Sequence, residues 1–130
     1  MANFTSKKIL LVEDDNFLSE LLLKKLVDNQ AGAVRAADGE EAINILKSSP
    51  KFDLVLLDLM LPKVGGFEVM EAINADDKLK GTPIIILSNL GQKNDVEKGV
   101  SLGAKKFLVK AILSLDEIIN SAAEVIGVAA

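Results

Sequence analysis

Apolar positions along this chain change their period at regular intervals. Five short runs, KILLV (8–12), AGAVRAA (31–37), FDLVLLD (52–58), PIIILS (83–88) and AKKFLVK (104–110), have the length and content of β-strands. Three of them are apolar almost throughout, as expected for strands of a parallel sheet covered on both faces. The second is weaker, with small residues and Arg35, and fits an edge strand. Between the runs the spacing becomes helical. Over 16–29, Phe17, Leu18, Leu21, Leu22 and Leu26 make one stripe, with Glu20, Lys24 and Lys25 off it. Segments 39–48, 66–75, 93–102 and 115–126 repeat the pattern, and the last residues, VIGVAA, are expected to fray. Strand and helix alternate five times, which predicts an open α/β sheet with right-handed crossovers and one domain over residues 1–130.

Ligands of such sheets bind beyond the carboxyl ends of the strands. The first strand is followed by Glu13-Asp14-Asp15, the third ends in Asp58, the fourth in Ser88 and the fifth in Lys110. Each has an ordinary structural explanation. Asp14 or Asp15 can cap the helix that starts near Asn16. Asp58 can belong to a turn, Ser88 can be a satisfied core hydroxyl, and Lys110 can snorkel from a buried strand. Together these explanations lose ground. Carboxylates gathered at one sheet edge repel one another unless a cation joins them. Lys110 offers one positive charge, and a hard divalent cation such as Mg²⁺ suits an all-oxygen cluster.

Composition narrows the chemistry. The 130 residues contain no cysteine and no histidine, which removes thiol catalysis, disulfides, imidazole acid–base chemistry and Cys- or His-held metals. The net charge of −4 argues against a general nucleic-acid surface. The polar MANFTSKK and the brief apolar run after it are too short for a signal peptide or membrane span, so a cytoplasmic location without membrane contact is expected. A divalent cation, an ammonium and a hydroxyl around a carboxylate suit in-line phosphoryl transfer to Asp58.

ILLVEDD, DLVLLDLMLPKVGG, PIIILS and GAKKFLVK, in that order, resemble the receiver domain of two-component response regulators over about residues 7–127. The resemblance implies a flavodoxin-like strand order 2-1-3-4-5. It makes Asp58 the phosphoacceptor and Ser88 and Lys110 its phosphate-pocket partners. Asp14 and Asp15 match the acidic pair that holds Mg²⁺, with Glu13 preceding it; Asp58 and the Met60 backbone carbonyl would complete the protein ligands. Ser88 and Phe107 match the switch pair, through which phosphorylation would reshape a face made by 93–102, 104–110 and 115–126. The implied partners are a histidine kinase or His-containing phosphotransfer protein and a downstream protein target. The chain would act as a monomer or a phosphorylation-linked dimer, without direct nucleic-acid binding, turnover catalysis or an output domain.

The chain also departs from the family pattern. Asn89 stands where a small residue is usual. Met60 and Leu90 put apolar side chains where the family tunes hydrolysis, which predicts a long-lived phosphate. Gly65 replaces a common aspartate and should loosen its turn. Ala111 replaces the proline after the lysine; a cis bond before a non-proline residue costs about 3–4 kcal/mol, so Lys110–Ala111 is expected to be trans. A haloacid-dehalogenase-type phosphatase needs a second acid where Met60 stands. A flavin or dinucleotide site is opposed by EDD after the first strand and by the lack of a glycine-rich loop there. The main alternative is a phosphorylation-independent interaction module on a receiver scaffold.

Overall fold

The computed structural model describes residues 2–49, 51–89 and 92–128. Among the described residues the chain alternates β1 (Lys8–Val12), α1 (Asn16–Asp28), β2 (Gly32–Ala36), α2 (Gly39–Ser48), β3 (Leu54–Asp58), α3 (Gly66–Ala75), β4 (Ile84–Ser88), α4 (Lys93–Ser101), β5 (Lys106–Val109) and α5 (Leu115–Ile126). The strands form one parallel sheet in the order β2-β1-β3-β4-β5, the flavodoxin-like arrangement that the resemblance implied.

Strand pleating divides the core into two layers. Ile9, Leu11, Leu54, Leu56, Ile85 and Leu87 face Leu22 and Leu26 of α1 and Ile118, Ile119 and Ala122 of α5. Leu10, Val12, Val55, Leu57, Ile84 and Ile86 face α2 and α3, through Ala42, Leu46, Val69, Met70 and Ile73. Both faces of the three central strands are thus covered, which is why their sequences are nearly continuous in apolar residues. Helix starts are fixed locally. Asp15 caps α1, Asp38 caps α2 by accepting from Glu41 N at 2.8 Å, and Ser114 forms a capping box with Glu117 on α5.

Two features differ from the sequence expectation. The polar N-terminal segment contributes to the core, because Phe4 is fully buried against the α1/α5 layer. At the other end, Val125 and Ile126 remain helical, and α5 ends on Gly127 at φ 88° with Val128 packed against the same layer. This left-handed stop holds residues 125–128 of the segment expected to fray; Ala129 and Ala130 lie outside the described residues.

Candidate functional site

The carboxyl ends of β1, β3, β4 and β5 meet along one edge of the sheet. β1 is extended by one rung, as Glu13 N donates to Ala36 O at 3.1 Å. That rung turns the Glu13 side chain inward, where it is 1% exposed. Its Oε1 accepts from Lys110 Nζ at 2.7 Å and its Oε2 from Asp15 N at 3.1 Å. Asp58, the last residue of β3, is also buried. Its Oδ2 accepts from Lys110 Nζ at 3.3 Å and its Oδ1 from Met60 N at 3.2 Å. Lys110 lies one residue past β5, and its backbone N donates to Ser88 O at 2.7 Å, tying lysine and serine ends together.

The ammonium is therefore clamped between two buried carboxylates. Burial pulls the Lys110 pKa down, but the Glu13 hydrogen bond and the charges of Asp58 and Glu13 outweigh it. The net direction is upward from the ordinary 10.5. Lys110 stays charged throughout the neutral range.

Carboxylate oxygens of Glu13, Asp14 and Asp58 lie within 4.8 Å of one another. Three acids against one ammonium leave an excess of negative charge, and an oxygen-only donor set of this kind fits a divalent cation such as Mg²⁺. The triad differs in one member from the sequence expectation. Asp15 borders the same cleft, but its Oδ1 accepts from Leu18 N at 2.9 Å, so it serves as the α1 N-cap while Glu13 takes the inward place. The physical reason is the extra β1 rung: it points residue 13 into the site and leaves residue 15 at the helix start. The cleft encloses about 300 Å³, with Asp14, Asp58, Met60, Asn89 and Lys110 among its walls.

The other expected residues are placed as follows. Ser88 ends β4, buried and beside the lysine backbone. Phe107 is half-buried in the layer facing α2 and α3, paired in register with Ile86. A Cβ added to Gly99 of α4 would come within 3.5 Å of the Phe107 ring, so aromatic and helix are in close packing. Met60 is exposed, with its side chain 75% accessible at the cleft. Ala111 is exposed, and the Lys110–Ala111 bond is trans, as expected. Leu90 lies outside the described residues. Gly65 N-caps α3 in extended backbone, with Glu68 accepting from its amide at 3.4 Å.

Two residues that periodicity did not single out shape the site. Gly66 lies against the acceptor strand: a Cβ there would be 2.5 Å from Asp58 O and 2.7 Å from Leu59 Cα. Arg35 of β2 donates from Nε and Nη2 to Glu13 O at 3.1 and 2.9 Å, and from Nη2 to Asp14 O at 3.3 Å.

A parallel 2-1-3-4-5 sheet with acids and a lysine converging on its carboxyl edge defines a flavodoxin-like α/β domain, its charged groups at the edge where such sheets bind ligands. The chain belongs to the response regulator receiver domain family, whose pattern matches residues 9–123. It is thus a receiver domain of two-component signalling. It is similar to the transcriptional regulatory protein CpxR of Escherichia coli K12, with 39% identity over 103 residues, 79% of this chain and 42% of that protein. The chain spans about 40–50% of the length of such curated relatives. Among solved structures, Vibrio cholerae chemotaxis protein CheY4 superposes with a TM-score of 0.84 at 27% identity, over 92% of this chain and 98% of that one. The receiver domain of the Pseudomonas aeruginosa sensor histidine kinase PA1611, whose structure has a magnesium ion coordinated in the active-site cleft, superposes at 0.83 with 26% identity, over 93% and 98%. Among the described residues no helix is long and apolar enough to cross a membrane.

Proposed function

We propose that Asp58 is the phosphoacceptor, taking a phosphoryl group from a phosphohistidine of a sensor kinase or phosphotransfer protein. The observation that carries this reading is the buried Asp58 carboxylate held by Lys110 inside a three-carboxylate cluster at the open edge of the sheet. A carboxylate oxygen of Asp58 forms the new O–P bond as the P–N bond to the donor imidazole breaks, and the electron pair leaves with the imidazole. Lys110 offsets charge on Asp58 beforehand and on the phosphoryl oxygens afterwards. Glu13, Asp14 and Asp58, with the Met60 carbonyl, would hold Mg²⁺, which when bound supplies positive charge opposite the phosphoryl oxygens. Ser88 provides a hydroxyl to the same oxygens.

The acyl phosphate adds roughly two negative charges at the end of β3. Movement of Ser88 toward it, with Phe107 following, reshapes the face of α4, β5 and α5 for a protein partner. This is a bias between two states rather than a new fold. We read this receiver domain as a cytoplasmic phosphoacceptor that works through protein contacts, not as a turnover enzyme. Incubation with Mg²⁺ and acetyl phosphate followed by intact-mass measurement tests the assignment. Wild type should gain the mass of one phosphoryl group and Asp58→Asn none. Equal labelling of both, or of neither, removes the reading.

A further inference from the structure

We infer that Arg35 is a positioning residue for the cation site: it fixes the main chain of the acidic loop so that the Glu13 and Asp14 carboxylates converge on Asp58. This rests on the functional reading above. The β1–β2 ladder runs in register through Leu11↔Arg35 and Val12↔Ala36, and its last rung is Glu13 N to Ala36 O. On this side β2 ends at Ala36, so beyond that rung the ladder with β2 stops. Arg35 fills the gap. Two guanidinium nitrogens converge on Glu13 O at 3.1 and 2.9 Å, and one of them reaches Asp14 O at 3.3 Å. A planar fork suits such multiple contacts, whereas a lysine brings only a point charge.

What Arg35 leaves alone is equally informative. It sits beside a cluster of acids, yet among the described residues it forms no ion pair with any of them. Its hydrogen bonds go to backbone carbonyls, so the carboxylates remain available to a cation. Glu13 then has its backbone N, its backbone O and both carboxylate oxygens engaged, and its orientation is over-determined.

Positioning and bare charge predict opposite signs. If Arg35 acted only as a nearby positive charge, its removal would tighten a divalent cation on the site. If it positions the loop, removal weakens binding. Calorimetric titration of the full chain with Mg²⁺ alone should show Arg35→Met binding about tenfold more weakly than wild type, with Arg35→Lys in between. Independently of metal, the Asp15 amide, which donates to Glu13 Oε2, should exchange its hydrogen at least about tenfold faster in Arg35→Met, while buried α5 amides keep their rates. Unchanged or tighter Mg²⁺ binding, or an unchanged Asp15 exchange rate, overturns the inference. A wild type without affinity for Mg²⁺ refutes the cation site itself, and the loop-positioning claim is then decided by the exchange rates. Arg35→Gln, shorter and neutral, repeats both measurements if the Met variant fails to fold.

Discussion

Replacing Lys110 by Met removes the ammonium that bridges Glu13 and Asp58 while keeping most of the side chain's volume. The lysine side chain is 9% exposed and its partners 1% and 5%, so solvent screens the group weakly. At an effective dielectric of about 20, contacts of 2.7 and 3.3 Å correspond to gross attractions of roughly 6 and 5 kcal/mol. Desolvating the ammonium costs several kcal/mol in the other direction, and breaking a buried pair typically destabilises by about 3–5 kcal/mol. We expect a loss within that range at neutral pH in the presence of EDTA. The chain has no Trp or Tyr, so urea unfolding should be followed by far-UV circular dichroism. One further result is expected. In a double-mutant cycle with Glu13→Gln, the coupling energy should reach about 1–3 kcal/mol. A loss below about 1 kcal/mol, the range of a surface ion pair, would refute the claim that Lys110 is a buried clamp.

The remaining predictions concern neighbouring parts of the site. Gly66→Ala places a Cβ 2.5 Å from Asp58 O and 2.7 Å from Leu59 Cα, backbone that cannot step aside, and should cost about 2–3 kcal/mol in urea unfolding. Gly99→Ala crowds the flexible tip of Ile86, at 2.6 Å, touches the Phe107 ring at 3.5 Å and gains roughly 1 kcal/mol of helix propensity, so its net effect should be below about 1 kcal/mol. Because the folded-state Lys110 pKa is raised, its stabilising contribution is complete below 10.5 and lost as pH rises through the higher folded value. Thermal melts over about pH 9 to 12 should therefore show an alkaline loss that is smaller in Lys110→Met. With an apolar Met60 at the cleft, phosphorylated protein is expected to keep its label for minutes or longer after removal of donor; decay within seconds, read by intact mass, would contradict this.

Much of the architecture was legible because both periodicities are strong. Strand β1 and helices α2, α3 and α5 span the same residues that the apolar spacing indicated, and the other four strands differ by one or two residues at their ends. The strand order came from the ordered motifs rather than from periodicity, which carries no information on lateral neighbours. Three details stayed hidden. In Glu13-Asp14-Asp15 the inward acid depends on where β1 stops, and one extra rung decided for residue 13. The helix-capping preference of Asp at position 15 was the available signal. Arg35 looked like a polar blemish in a weak edge strand, because a contact from side chain to the backbone of the next strand leaves no pattern in sequence. Phe4 stood alone among polar residues, and a single apolar position has no period.

Phe4 bears on where this domain begins. The family pattern starts at residue 9, one residue into β1. The folded unit starts earlier: Phe4 N donates to Asn29 O at 2.8 Å, and the Thr5 hydroxyl bonds the Gln30 side chain at 2.6 Å. A chimera joined at the family boundary would discard a fully buried ring, a loss on the scale of about 3–5 kcal/mol for deletion of a core phenylalanine. The transplantable domain is thus longer than the recognisable one, and grafts onto other output modules should carry residues 2–8 with them.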